Sequence, residues 1–240
     1  MKIVITHLGN MTELIPVSSI IKNIKNKYSD TNITLVSEYN TLFKYNVLID
    51  KNLSFSEFKE KEEEYDLLIN LYPYFPENIC KNIVVREVIG FNYDDGLKQF
   101  EDIFFEGKRN YDMNIFQLYH KLAGLKWKGE GYEIGYYPRS KSRKNRIGIS
   151  VANSNLRNYI LDKLELKDRK ISYIPYKKNI FKKLDELNKC EKIITDDLLV
   201  FHLAMSLRKY VHFLQTFPLS LKLELFNSGE IHKVSLGNIT

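Results

Sequence analysis

Short runs of β-branched and aliphatic residues alternate with helical patterns along nearly the whole chain of 240 residues. In the N-terminal half, strand length and character mark Lys2–Thr6, Asn32–Ser37, Asn46–Ile49, Asp66–Leu71 and Ile83–Ile89. Between them, Ile20, Ile21 and Ile24 recur at helical spacing within 15–28. A second helix is predicted over 54–64, where Ser54 and Glu57 are spaced for a capping box. A third runs from Asn114 to Leu122, carries Phe116, Leu118 and Tyr119, and ends near Gly124. Parallel neighbours cannot be joined by a tight hairpin and need a crossover, so alternating β and α units predict a parallel sheet with helices on both faces.

The polar, basic stretch from Pro138 to Asn145 has the composition of a linker. Beyond it the alternation resumes, with strands expected at Arg146–Val151, Lys170–Pro175, Lys192–Thr195, Tyr210–Gln215 and His232–Leu236. Helices are expected over 156–164, 180–190 and 199–207. The expected organisation is two α/β domains, 1–138 and 139–240, the second smaller.

Two segments concentrate polar groups where a strand turns into a helix. After Ile3, Val4 and Ile5, the residues Gly9, Asn10, Met11, Thr12 and Glu13 supply flexibility, an amide, a hydroxyl and a carboxylate. After Ile193 and Ile194 come Thr195, Asp196 and Asp197, with His202 five positions beyond Asp197. Open α/β sheets bind ligands at the C-terminal ends of their strands, so one such edge from each half predicts a cleft between two sheets.

Composition narrows the function classes. Hydrophobic residues make up 44% of the chain, enough for a sizeable core, and no apolar run approaches the roughly 18 residues of a membrane span. The chain opens directly on a strand pattern without the features of a secretory signal, and Cys80 and Cys190 form no CxxC pair, so a reducing cytoplasm is the expected location. A net charge of +6 suits phosphate-bearing partners without choosing among nucleotides, lipids and nucleic acid. The chain carries no G-x-G-x-x-G, P-loop or nucleophile elbow, no convincing metal-ligand spacing, and no recognised nucleic-acid-binding motif.

The polar turns resemble the paired motifs of glycosyltransferase family 9, the ADP-heptose:lipopolysaccharide heptosyltransferase type, whose members carry an LGN(I/M)GD loop and a D(T/S)GxxHLA motif. Here they read Leu8-Gly9-Asn10-Met11-Thr12-Glu13 and Asp197-Leu198-Leu199-Val200-Phe201-His202-Leu203-Ala204. Between them, Tyr65–Leu71 is similar to the family's YDLVIDL strand, Ile89-Gly90-Phe91 to its IGF segment and Arg146–Ser150 to the strand opening its second domain. The departures are Glu13 in place of a catalytic Asp, Thr12 in place of Gly, Leu198-Leu199 in place of the small pair, and no Lys before Trp-Pro after the second domain's first strand. The chain is also shorter than is usual in the family.

The resemblance implies a GT-B fold, two Rossmann-like domains facing a central cleft, and metal-independent inverting transfer of a sugar without a cofactor. It further implies a nucleotide diphosphate-sugar donor, ADP-heptose in the family, and a glycan or lipid-linked acceptor in cell-envelope polysaccharide synthesis. Glu13 would be the general base, with Gly9, Asn10, Met11 and Thr12 on the acceptor side. Ser150, Asn153, Ser154, Arg157, Asp197 and His202 would lie on the donor side, Arg157 standing in for the missing Lys because a guanidinium holds phosphate oxygens in a bidentate way.

Each residue also has a plainer reading. Glu13 suits the positive end of a helix, Gly9 an ordinary turn, Arg157 an exposed helix position, and Asp197 with His202 a cap and a packed core residue. The rings of Tyr72, Tyr74 and Phe75 with Pro73 and Pro76 could border an acceptor sugar or pack as a loop. Arg139, Lys141, Arg143, Lys144 and Arg146 could touch anionic headgroups at the inner face of the inner membrane, or form a solvated linker. The rival to a transferase is a catalytically degenerate GT-B protein that binds a glycan, nucleotide or partner enzyme without turnover, and a basic nucleic-acid-binding domain ranks third.

Overall fold

A computed structural model describes residues 1–73, 83–91, 113–163, 166, 169–175, 179–216, 219, 222–226 and 228–234. The chain forms two compact units. The first is Met1–Gly135, rejoined by Lys222 and Leu223; the second runs from Tyr136 to Leu219 and resumes at Glu224. Among the described residues, no helix is long and apolar enough to cross a membrane.

In the first unit, strands β1 (Lys2–Thr6), β2 (Asn32–Val36), β3 (Lys51–Leu53), β4 (Glu64–Asn70) and β5 (Val84–Gly90) form one parallel sheet in the order β3-β2-β1-β4-β5. The inner strands β2, β1 and β4 are buried over most of their length, which is why they read as mostly apolar runs. Val4, Val36, Phe58, Tyr65, Leu68 and Ile83 form one core cluster.

Helix α1 (Met11–Lys27) buries Leu14, Ile15, Val17, Ile20, Ile21 and Ile24. It starts four residues earlier than the sequence pattern suggests, because the Asn10 side chain caps it by accepting the Glu13 amide. Helix α2 is confined to Phe55–Lys59, shorter than the 54–64 expected, and has the predicted capping box of Ser54 and Glu57. Helix α3 (Ile115–Leu122) has a second box, from Asn114 and Gln117.

The expected strand at Asn46–Ile49 is a correction: that segment is a turn, and the strand lies at β3. The buried Asn46 side chain accepts from Leu48 N and its carbonyl from Ile49 N, so local bonds take the groups a sheet ladder would use.

In the second unit, β6 (Arg146–Ser150), β7 (Lys170–Tyr173), β8 (Lys192–Thr195), β9 (Tyr210–Gln215) and β10 (Gly229–Lys233) form a parallel sheet in the order β7-β6-β8-β9-β10. Helices α4 (Ser154–Lys163), α5 (Ile180–Asn188) and α6 (Leu198–Ser206) link them. Ile147, Ile149, Leu156, Ile160, Ile194 and Leu214 belong to this unit's core cluster. Strand β10 begins three residues before the expected His232, because Gly229 already pairs with Val211, where a Cβ would stand 2.4 Å from the Val211 carbonyl oxygen.

The strand orders differ in an informative way. In the first sheet the winding reverses between β1 and β4, and in the second between β6 and β8. Crevices at such reversals are where open α/β sheets take ligands.

Gly148, in the middle of β6, leaves no room for a side chain: a Cβ there would stand 2.8 Å from Ile193 Cδ1 and 3.0 Å from Cys190 Sγ. Gly148→Ala is expected to lower stability by about 1–3 kcal/mol through overpacking, read as a lower urea midpoint at unchanged slope.

Candidate functional site

The polar turn of the first unit sits at the winding reversal. Strand β1 ends in Thr6, whose hydroxyl donates to Asn70 Oδ1 (3.1 Å) at the end of β4, and the Asn70 amide donates to Phe91 O (2.8 Å) beyond β5. Three strand ends are therefore tied into one buried rim. Gly90, at φ +98°, is needed for it: a Cβ there would meet the Asn70 carbonyl oxygen at 2.1 Å.

Glu13 is held at this rim from three directions. Its amide caps onto Asn10 Oδ1 (3.1 Å), its carbonyl accepts the Tyr119 hydroxyl (3.0 Å), and its carboxylate lies over Gly9, where a Cβ would stand 2.3 Å from Glu13 Oε2. Gly9 therefore serves close approach rather than a left-handed backbone. Desolvation raises the Glu13 pKa above the ordinary carboxylate value, opposed by hydrogen bonds from Asn10. Met11 and Thr12 are half-buried in the first turn of α1, and Asn10 is exposed.

Sequence reasoning missed two partners here. His7, one residue past β1, is buried, with Nε2 2.9 Å from the Tyr119 hydroxyl. Since that hydroxyl gives its single proton to the Glu13 carbonyl, it accepts from His7 Nε2–H, leaving Nδ1 as a bare acceptor. That nitrogen has no hydrogen-bond partner among the described residues, and burial pushes the His7 pKa down to about 3, so the ring is neutral. The signal in the sequence was a histidine directly after an apolar strand; Tyr119, 112 positions away, gave none. Tyr72 packs beside His7, their ring centres 5.8 Å apart, while Tyr74, Phe75, Pro76 and Cys80 lie outside the described residues.

In the second unit, Ser150 ends β6, and Asn153, Ser154 and Arg157 follow it on one continuous segment. Asn153 caps α4, its side chain accepting the amides of Asn155 (2.9 Å) and Leu156 (3.1 Å), and Ser154 is exposed in the first turn. Arg157 is not a freely exposed side chain: its guanidinium carbon lies 5.4 Å from the centre of the Tyr173 ring. Buried Arg157 Nε and Ser150 Oγ both lack a hydrogen-bond partner among the described residues.

Across the reversal, Thr195 Oγ1 donates to Ser150 O (2.9 Å) and accepts Asp197 N (3.0 Å), tying β8 to β6. Asp197 caps α6, Oδ1 accepting Leu199 N (2.8 Å) and Val200 N (3.4 Å). His202 lies one turn further, buried and edge-on to Phe201, with its pKa pushed down to about 3 by desolvation.

Lys183, on α5, was missed by the sequence reading. Its side chain is buried; desolvation lowers its pKa, and the Asp197 charge opposes the shift. A lysine in the same helical stripe as Leu184 and Leu187 was the available signal.

No protein-family model and no curated protein sequence matches the chain. Solved structures do. The chain resembles ADP-heptose lps heptosyltransferase II from E. coli (TM-score 0.68, 11% identity, 99% of this chain and 92% of that one). It also resembles a glycosyl transferase family 9 protein from Veillonella parvula (0.64, 13%, 96% and 85%). A third similar structure is E. coli heptosyltransferase WaaC with ADP-2-deoxy-2-fluoro heptose (0.62, 10%, 98% and 94%). At these identities the likeness establishes the fold, an α/β arrangement of two parallel five-stranded sheets like that of the GT-B heptosyltransferases.

Among the buried imidazoles, those of His7 and His202 are shifted furthest and set an acid limit on stability. An unfolded chain takes up protons on both below about pH 6.5, while the folded chain does not until about 3. Their contribution is present above about pH 6.5 and is lost as pH falls toward 3; the raised Glu13 pKa acts in the opposite sense. Urea midpoints between pH 7 and 4 are expected to fall with acid, with a shallower slope in His202→Leu.

Proposed function

We propose that the chain is an inverting glycosyltransferase that moves a sugar from a nucleotide diphosphate-sugar to a glycan or lipid-linked acceptor, with Glu13 as general base. The desolvated Glu13 carboxylate over Gly9, at the winding reversal of the first sheet, carries this reading. A carboxylate with a raised pKa is a stronger base than a solvated one, and its backbone is fixed at both amide and carbonyl. The heptosyltransferase-like fold supports sugar transfer as the reaction class.

In this reading the first unit is the acceptor side and the second the donor side. Glu13 takes the acceptor hydroxyl's proton as that oxygen attacks the anomeric carbon. The anomeric C–O bond breaks with inversion, and its electron pair leaves on the diphosphate. His7 Nδ1 offers an acceptor for a second hydroxyl, and Gly9 to Thr12 line the approach.

On the donor side, Arg157 and Lys183 supply positive charge, and the Ser150 hydroxyl and Arg157 Nε supply donors that a phosphate would satisfy. Asn153, Ser154 and Asp197 shape the two turns, and His202 supports the second by packing. ADP-heptose is the first donor to test, because similar proteins are named for it or were solved with its analogue. A cytoplasmic protein touching the inner membrane surface through exposed Arg139, Lys141, Arg143 and Lys144 is part of the same proposal.

One observation favours the rival, a GT-B protein that binds without turnover. The Asp197 carboxylate already occupies the amides of Leu199 and Val200, which are then not free to bind phosphate.

Thermal shifts with ADP, UDP, GDP, CMP and their sugars separate the two when combined with turnover assays. A transferase is expected to melt higher with one nucleotide, less so as Arg157→Ala. Glu13→Gln is expected to keep donor binding and to lower turnover by about 100-fold or more. It is also expected to melt no lower than wild type at pH 7, since it removes a charge held in a desolvated position. Nucleotide binding with no turnover for any acceptor favours the rival, and no shift with any nucleotide overturns the donor site itself.

A further inference from the structure

We propose that His212, Glu230 and His232 form a binding site for a divalent transition-metal ion of the zinc class, at the edge of the second sheet. The pairing register creates the cluster. Glu230 on the edge strand β10 lies opposite His212 on β9, and His232, two residues on, returns to the same face. Each offers one ligand atom.

His212 Nδ1 lies 3.0 Å from His232 Nε2, and Glu230 Oε2 lies 3.7 Å from the first nitrogen and 3.4 Å from the second. These three atoms lie on a circle of radius about 2.0 Å, so an ion just above its plane reaches all three at ordinary zinc bond lengths of about 2.0–2.2 Å.

The carboxylate is also held in place. The Tyr210 hydroxyl donates to Glu230 Oε1 (2.6 Å), leaving Oε2 toward the imidazoles, as partners beyond a metal's direct ligands commonly do. His212 is the better buried ligand, its side chain 14% exposed, while Glu230 at 54% and His232 at 38% leave an approach from solvent. Two imidazoles and one carboxylate suit Zn(II), with a fourth position for water.

The metal-free pair is joined by one shared proton. On metal binding it moves to the far nitrogen of its own ring, freeing both facing lone pairs as the rings turn toward the ion. Lys192, whose ammonium lies 5.2 Å from the centre of the Tyr210 ring, is the cation that opposes binding. A bound ion would tie β10 to β9. The proposal is independent of the sugar-transfer reading.

The test uses the untagged full-length chain, stripped with chelator and titrated with ZnCl2 by calorimetry, with Co(II) absorption as a second readout. Expected are one ion per chain with a Kd below about 10 μM at pH 7.5, a tetrahedral Co(II) spectrum and a higher melting temperature with zinc. His232→Ala and Glu230→Gln are each expected to weaken uptake by about tenfold or more while the metal-free melting temperature holds. If His232→Ala fails to fold, Glu230→Gln, at an exposed carboxylate, decides alone. Uptake that is not saturable below about 100 μM, or that is equal in wild type and the folded variants, overturns the site.

Discussion

Parallel strand pairing governs the rest of the molecule. No two neighbouring strands in either sheet can be joined by a tight hairpin, because all pair in parallel, and every strand in a unit finishes on the same side. The two central pairs, β1 with β4 and β6 with β8, are also where the winding reverses. Residues far apart in sequence meet there: Thr6 reaches Asn70, and Thr195 reaches Ser150.

The two reversals use their polar groups differently. At the first, Asn10 caps the helix, so the Glu13 side chain is released from capping and held in a poorly hydrated position. At the second, Asp197 is itself the cap, and its charge is partly spent on two backbone amides. The neighbouring turn differs again: Arg157 Nε and Ser150 Oγ are buried there without a hydrogen-bond partner among the described residues.

Local chemistry made much of this legible in the sequence. Strands Lys192–Thr195 and Tyr210–Gln215 carry unambiguous apolar runs, and the Ser54–Glu57 box announces itself by spacing. Asn46–Ile49 misled because its aliphatic residues suggest a strand, while the decisive group is an asparagine side chain bonding two residues on. Glu13 and Gly9 could be selected from their turn, but the Glu13 carboxylate comes to lie over Gly9 only once the helix is capped at Asn10. His7, Tyr119 and Lys183 escaped because their roles depend on contacts across elements, which no periodicity records.

The return of the chain to the first unit at Lys222 and Leu223 bears on ancestry and dissection. Asn114 bridges to Lys222, and Lys222 N donates to Met113 O (3.1 Å), so a piece encoded near the C-terminus completes the N-terminal unit. Recombination at the boundary after Gly135 would separate that unit from its own last fragment. The two halves are thus poor candidates for exchange as cassettes, and their different strand orders argue against descent by simple tandem duplication of one half.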